Sequence, residues 1–132
     1  MKITADTNVL VRAIVGDDPK QSRIAQNALE QAELVALSLP ALCEFVWVLS
    51  TGYKVSAPDI VRAIRGLIDS ANVAADGPAV EAGLAMLEAG GDFADGAIAY
   101  DGHWLGAEQF LSFDKQAVKL LDEMGHAAKL LT

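Results

Sequence analysis

Apolar residues in this chain alternate between two spacings, and the alternation divides the chain into short strands and longer helices. Lys2 to Ala5 is brief, partly β-branched and ends at Asp6, after which Val9, Leu10, Ala13 and Ile14 recur at helical spacing. Gly16-Asp17-Asp18-Pro19 makes a turn, and Pro19 opens a helix to about Glu33 with Ile24, Ala25, Ala28 and Leu29 on its apolar face. Leu34 to Leu37 reads as a second strand. Ser38 and Pro40 start a helix that runs to about Ser50 and is stopped by Thr51-Gly52. Ser56-Ala57-Pro58-Asp59 opens another helix, with Ile60, Val61, Ile64, Leu67 and Ile68 as its stripe. Asn72 to Ala75 follows as a strand closed by the turn Asp76-Gly77-Pro78. Val80 to Ala89 is helical, Gly90-Gly91 breaks it, and Asp92 opens a helix towards Leu105. A strand over Gln109 to Ser112, a helix with Val118, Leu120, Leu121 and Met124 capped by Gly125, and a strand over Ala127 to Leu131 complete the chain.

Strands that alternate with helices in this way predict an α/β fold, a mainly parallel central sheet flanked by helices in three layers, with any site at the carboxyl ends of the strands. The length of 132 residues suits a single domain over 1–132, able to bury roughly two-thirds of its unfolded surface. With 52% hydrophobic and only 6% aromatic residues, the core should be aliphatic. No internal repeat or low-complexity segment interrupts it.

A formal net charge of −8 argues against a broad basic face for nucleic acid, although carboxylates that hold cations enter this sum as uncompensated charge. Arg12, Arg62 and Arg65 are the candidates for local phosphate contact. Arg62 and Arg65, one helical turn apart, fit a solvated helix face better than a phosphate site. The single cysteine, Cys43, cannot form an internal disulfide and reads as a small buried hydrophobe. The N-terminus has no signal-peptide core, and the apolar stretch Leu34–Leu49 is broken by Pro40 and charged at Glu44, so a cytoplasmic protein with no membrane association is expected.

Glu44 interrupts the apolar run Ala41-Leu42-Cys43-Glu44-Phe45-Val46-Trp47-Val48-Leu49, too far into its helix to cap it. An inward carboxylate there needs a cation, and two are conceivable: Arg12 in a buried ion pair, or a metal ion shared with other acids. Asp6, Asp92, Asp95 and Asp114 lie at predicted helix starts. Each can be explained as a cap or a first-turn acid, or as a member of a cluster with Glu44. An all-carboxylate cluster suits magnesium or manganese. Zinc fits poorly, because His103 and His126 stand in unrelated contexts, the first on a helix surface and the second in a turn. No nucleophile elbow or phosphate-binding glycine loop is present.

Four segments together resemble the PIN-domain ribonucleases, in particular the toxins of VapBC-type toxin–antitoxin pairs. These are Ile3-Thr4-Ala5-Asp6-Thr7-Asn8-Val9-Leu10, Pro40-Ala41-Leu42-Cys43-Glu44-Phe45, Asp92-Phe93-Ala94-Asp95-Gly96-Ala97-Ile98-Ala99 and Phe110-Leu111-Ser112-Phe113-Asp114. The resemblance implies Asp6, Glu44 and Asp95 as core acids and Asp114 as a fourth, with Asn8, Asp92 and Ser112 in support. Ser112 stands where Thr is usual. Gly96 stands where Ala is frequent, which weakens the helix locally. The implied activity is magnesium- or manganese-dependent endoribonucleolytic cleavage of RNA, leaving 5′-phosphate and 3′-hydroxyl ends. The implied partners are a cognate antitoxin and a second copy of the chain in a homodimer. Trp47, Tyr53 and Trp104 are candidates for a partner interface, with core packing the simpler role for Trp47. Two other readings compete. In one, Asp76 after its strand is the phosphoacceptor of a receiver domain; in the other, the chain is a catalytically inactive PIN-like binding module.

Overall fold

Open N–H groups at a helix start need an acceptor, and an aspartate or serine supplies one at most helix starts in this chain. The computed structural model describes residues 1–132, which fold as two compact units, Met1–Asp76 and Gly77–Thr132.

The first unit runs β1 (Lys2–Thr4), α1 (Thr7–Ile14), α2 (Pro19–Gln31), β2 (Leu34–Leu37), α3 (Leu39–Trp47), α4 (Ala57–Ile68) and β3 (Val73–Ala75). Its strands form one parallel sheet in the order β1-β2-β3, with Ile3 opposite Val35 and Ala36 opposite Ala74. Parallel pairing puts the carboxyl ends of β1 and β2 on one edge, where α1 and α3 begin. Asp6, Asp18, Ser38 and Ser56 cap α1, α2, α3 and α4. The core is aliphatic apart from Phe45, with Leu10, Leu42, Leu49, Ile60 and Ile64 fully buried. Thr7, also buried, donates from Oγ1 to the Ala41 carbonyl at 3.3 Å and so ties the first turn of α1 to α3.

α3 does not stop cleanly at a glycine. After Trp47 the backbone continues as a π-helical turn over Val48–Gly52, closed by the Tyr53 N–H donating to the Val48 carbonyl. The Thr51 hydroxyl donates to the Trp47 carbonyl at 2.6 Å, and Lys54 then takes the left-handed conformation at φ 57°. Apolar periodicity continues smoothly through Val48 and Leu49, so the spacing gives no sign of the extra residue in this turn.

The second unit runs α5 (Gly77–Glu88), α6 (Phe93–Trp104), β4 (Phe110–Ser112), α7 (Lys115–Glu123) and β5 (Ala128–Leu130). β4 and β5 pair in parallel, Phe110 opposite Ala128. α5 begins earlier than its apolar stripe suggests: Gly77-Pro78 is its first turn, where proline loses no hydrogen bond, rather than a separate turn. Gly125 ends α7 as expected, at φ 86°. α5 and α6 pack closely, and Val80, Leu84, Met86 and Phe93 are fully buried. A Cβ at Gly96 would lie 2.3 Å from the Ala82 carbonyl oxygen. Glycine therefore stands at this position because the two helices approach there too closely for a methyl group. The α/β class with parallel strands and flanking helices is the one the pattern predicts.

Candidate active site

Asp6 follows β1 and caps α1 through Oδ1, which accepts from the Thr7 N–H at 2.8 Å; Oδ2 takes no part in the cap. Glu44 reaches the same place from α3. Both carboxylates border a cavity of ≈ 200 Å³ whose wall also includes Asn8, Arg12 and Tyr53, and both border a neighbouring depression beside Ser38 and Pro40.

The setting of Glu44 corrects the sequence reading. Its side chain is exposed rather than inward, so no desolvation cost calls for a buried partner. Arg12 is not that partner either: its Nη1 donates to Asp17 Oδ1 at 3.1 Å. Trp47, one helical turn from Glu44, is 64% exposed instead of packed in the core. The apolar run misled because α3 and the turn after it bury only the stripe of Ala41, Leu42, Phe45, Val46 and Leu49 and turn Glu44 and Trp47 to solvent.

In the second unit Asp92 caps α6, its Oδ1 accepting from the Ala94 N–H at 3.2 Å. Asp114 caps α7, its Oδ1 accepting from Gln116 and Ala117 at 2.9 and 3.1 Å. Ser112 Oγ accepts from the Asp114 N–H at 2.9 Å and fixes the junction after β4. Asp95 lies in the first turn of α6, half-buried. Desolvation, and then the negative charges of Asp92 and Asp114, push its pKa above the usual carboxylate value. Asp92, Asp95 and Asp114 therefore share one electrostatic neighbourhood.

The capping explanation holds for Asp6, Asp92 and Asp114, and it does not compete with a second role. Each cap uses Oδ1 and leaves Oδ2 out. The donors are all carboxylate oxygens, the set that hard divalent cations prefer, and Asp95 carries a repulsion that a cation would relieve. In chemical type these residues fit magnesium or manganese. In neither unit do three His, Cys, Asp or Glu side chains gather closely enough to enclose an ion by themselves.

An acid whose folded-state pKa lies above its unfolded value favours the folded state most when protonated. That contribution is complete below the unfolded value and is lost as pH rises through the raised one. Asp95→Asn should therefore melt a few degrees above wild type in chelator at about pH 7, with the gap closing towards about pH 4. Thermal unfolding across pH tests this, and a gap that widens on acidification would refute it.

Arg62 and Arg65 lie on the solvated face of α4, where Arg62 pairs with Asp59. His103 and His126, far apart in sequence, do share a context: with Glu108 they line a ≈ 320 Å³ depression of the second unit. Cys43 is half-buried. Sequence reasoning missed Asp17 and the position of Tyr53 at the cavity, because no local pattern links a turn residue to one 36 positions away.

Parallel strands with carboxylates just beyond their ends define an α/β protein with acids at its strand termini. The family model of the PIN domain matches residues 3–122, and the chain belongs to the PIN-domain family. This membership sets aside the phosphoacceptor reading of Asp76. PIN domains are generally nucleases that use divalent metal ions. No curated protein matches the chain. No helix is long and apolar enough to cross a membrane.

Proposed function

We propose that this protein is a magnesium- or manganese-dependent endoribonuclease, with Asp6, Glu44, Asp95 and Asp114 as its acids and Asn8, Asp92 and Ser112 supporting them. We further propose that it is the toxin of a toxin–antitoxin pair, acting in the cytoplasm as a homodimer. The observation that carries the nuclease reading is the convergence of Asp6 and Glu44, from two different helices, on one cavity with an arginine in its wall. Thr7 ties the first turn of α1 to α3 and so keeps the backbones that carry the two acids together. Asn8, one residue into α1, brings an amide to the same wall, able to donate to a carboxylate or to a water.

A divalent ion bound by carboxylates of this kind would supply charge neutralisation at phosphate and a more acidic water. The protein's own part is placement. The cap at Asp6 locks its carboxylate against the start of α1, and Ser112 does the same for the junction leading to Asp114. The toxin reading is supported by exposed apolar side chains suited to a protein partner, Trp104 at 73% exposure and Phe113 among them.

Purified protein incubated with labelled RNA should cleave it with manganese and stop on chelation, giving 5′-phosphate and 3′-hydroxyl ends. Cleavage that persists in chelator, or no cleavage of any RNA, would overturn the nuclease reading. For the toxin reading, a short adjacent reading frame should encode a protein that binds and silences this one; a neighbour that neither binds nor inhibits would refute it.

A further inference from the structure

Arg12, Asp17 and Tyr53 form a connected group that plays no part in capping or in the core. Arg12 lies in the last turn of α1 and donates from Nη1 to Asp17 Oδ1 at 3.1 Å, while the Tyr53 hydroxyl donates to Asp17 Oδ2 at 3.0 Å. Each oxygen of Asp17 thus holds one partner. Arg12 and Tyr53 both stand in the wall of the cavity that Asp6 and Glu44 border.

Tyr53 arrives there by an unusual backbone route, since the π-helical turn of Val48–Gly52 precedes it and the left-handed Lys54 follows. π turns and left-handed residues other than glycine persist where surrounding contacts require them, and they concentrate at functional sites. An arginine–aspartate pair in this exposed setting would by itself be loose, because two long side chains gain little from pairing in water. The tyrosine hydroxyl supplies the second tether. The carboxyl of Asp17 is held below the usual range: partial desolvation pulls upward, and the bonds from Tyr53 and Arg12 outweigh it. The Tyr53 hydroxyl is correspondingly harder to ionise, chiefly through its bond to Asp17.

We propose that Tyr53 and Asp17 are positioning residues that hold Arg12 in place to grip an RNA backbone phosphate beside the Asp6–Glu44 pair. This rests on the nuclease reading and names the residue by which a strongly acidic chain retains a polyanion. The bond to Asp17 occupies one position of a planar fork that carries five N–H donors, and the free part of that fork matches two oxygens of a phosphate. A lysine would offer a point charge without the fork and without a fixed direction.

The test is steady-state cleavage, by the full chain with manganese, of a fluorescent RNA oligonucleotide, for wild type, Arg12→Gln, Arg12→Lys, Tyr53→Phe and the double variant Arg12→Gln/Tyr53→Phe. Arg12→Gln should raise KM about tenfold with kcat within about twofold, and Arg12→Lys should recover only part of the loss. Tyr53→Phe should raise KM about threefold in wild type and not at all in the Arg12→Gln background. A Tyr53→Phe effect of equal size in both backgrounds, or an Arg12→Gln protein that loses kcat with KM unchanged, would overturn the proposal while leaving the nuclease reading intact. Absence of wild-type cleavage would instead remove both. Should Arg12→Gln fold poorly, Tyr53→Phe alone decides, since it deletes only a hydroxyl: unchanged KM and unchanged RNA affinity in calcium would reject the positioning role.

Discussion

Asp6→Asn is expected to lower manganese-dependent RNA cleavage by about a hundredfold or more while leaving the melting temperature within a degree or two of wild type. The two halves of this expectation come from two atoms of one side chain. The Oδ1 atom of Asp6 accepts from the Thr7 N–H to start α1, and asparagine caps helices as well as aspartate does, so the fold keeps its contact. The negative charge offered to a cation is lost with the substitution. Glu44→Gln should behave alike, because that side chain is exposed and no packing depends on its charge. Gel-based cleavage and thermal unfolding on the same preparations check both. Full activity in either variant would remove that residue from the active site, and a collapse in stability would show that its charge serves the fold instead.

Gly96→Ala should destabilise the protein by about 1–2 kcal/mol and lower its melting temperature by about 5 °C, although alanine is the better helix former by about 1 kcal/mol. The sign is decided by what the new methyl group would meet. The Ala82 carbonyl oxygen would lie 2.3 Å from it and the Ala82 carbonyl carbon 2.9 Å. Both are backbone atoms of α5, which can move away only by shifting the helix. Overpacking of that kind outweighs the gain in helix propensity. A higher melting temperature for Gly96→Ala would mean that α5 and α6 can part without cost, contrary to the close fit of Phe93 and Met86 between them.

Much of the fold was legible because it is written in short-range chemistry. Asp18-Pro19, Ser38 with Pro40, and Ser56 with Pro58 set helix starts at the residues where the structure has them, since a cap and a fixed φ act within one turn. The acids at Asp6, Asp92 and Asp114 were legible for the same reason: each follows a strand or a glycine break and opens the helix after it. Which face of a helix meets solvent is settled by neighbours distant in sequence, and here the reading of Glu44 and Trp47 failed. An apolar run nine residues long looks buried all round, whereas α3 covers only one stripe of itself. Asp17 and Tyr53, and likewise His103 and His126, are brought together by tertiary folding and leave no mark on local spacing.

The π-helical turn at Val48–Gly52 gives that stretch a length requirement of its own. Each residue of an α-helix advances the chain by about 100° around the axis, so adding or removing one residue while the turn keeps its winding would swing the Tyr53 ring roughly a quarter of the way round the helix, off Asp17. Substitutions at its exposed positions, Ser50 to Gly52, can be absorbed side chain by side chain. Insertions and deletions cannot, which makes this stretch a ruler on which the protein can change its letters but not its count.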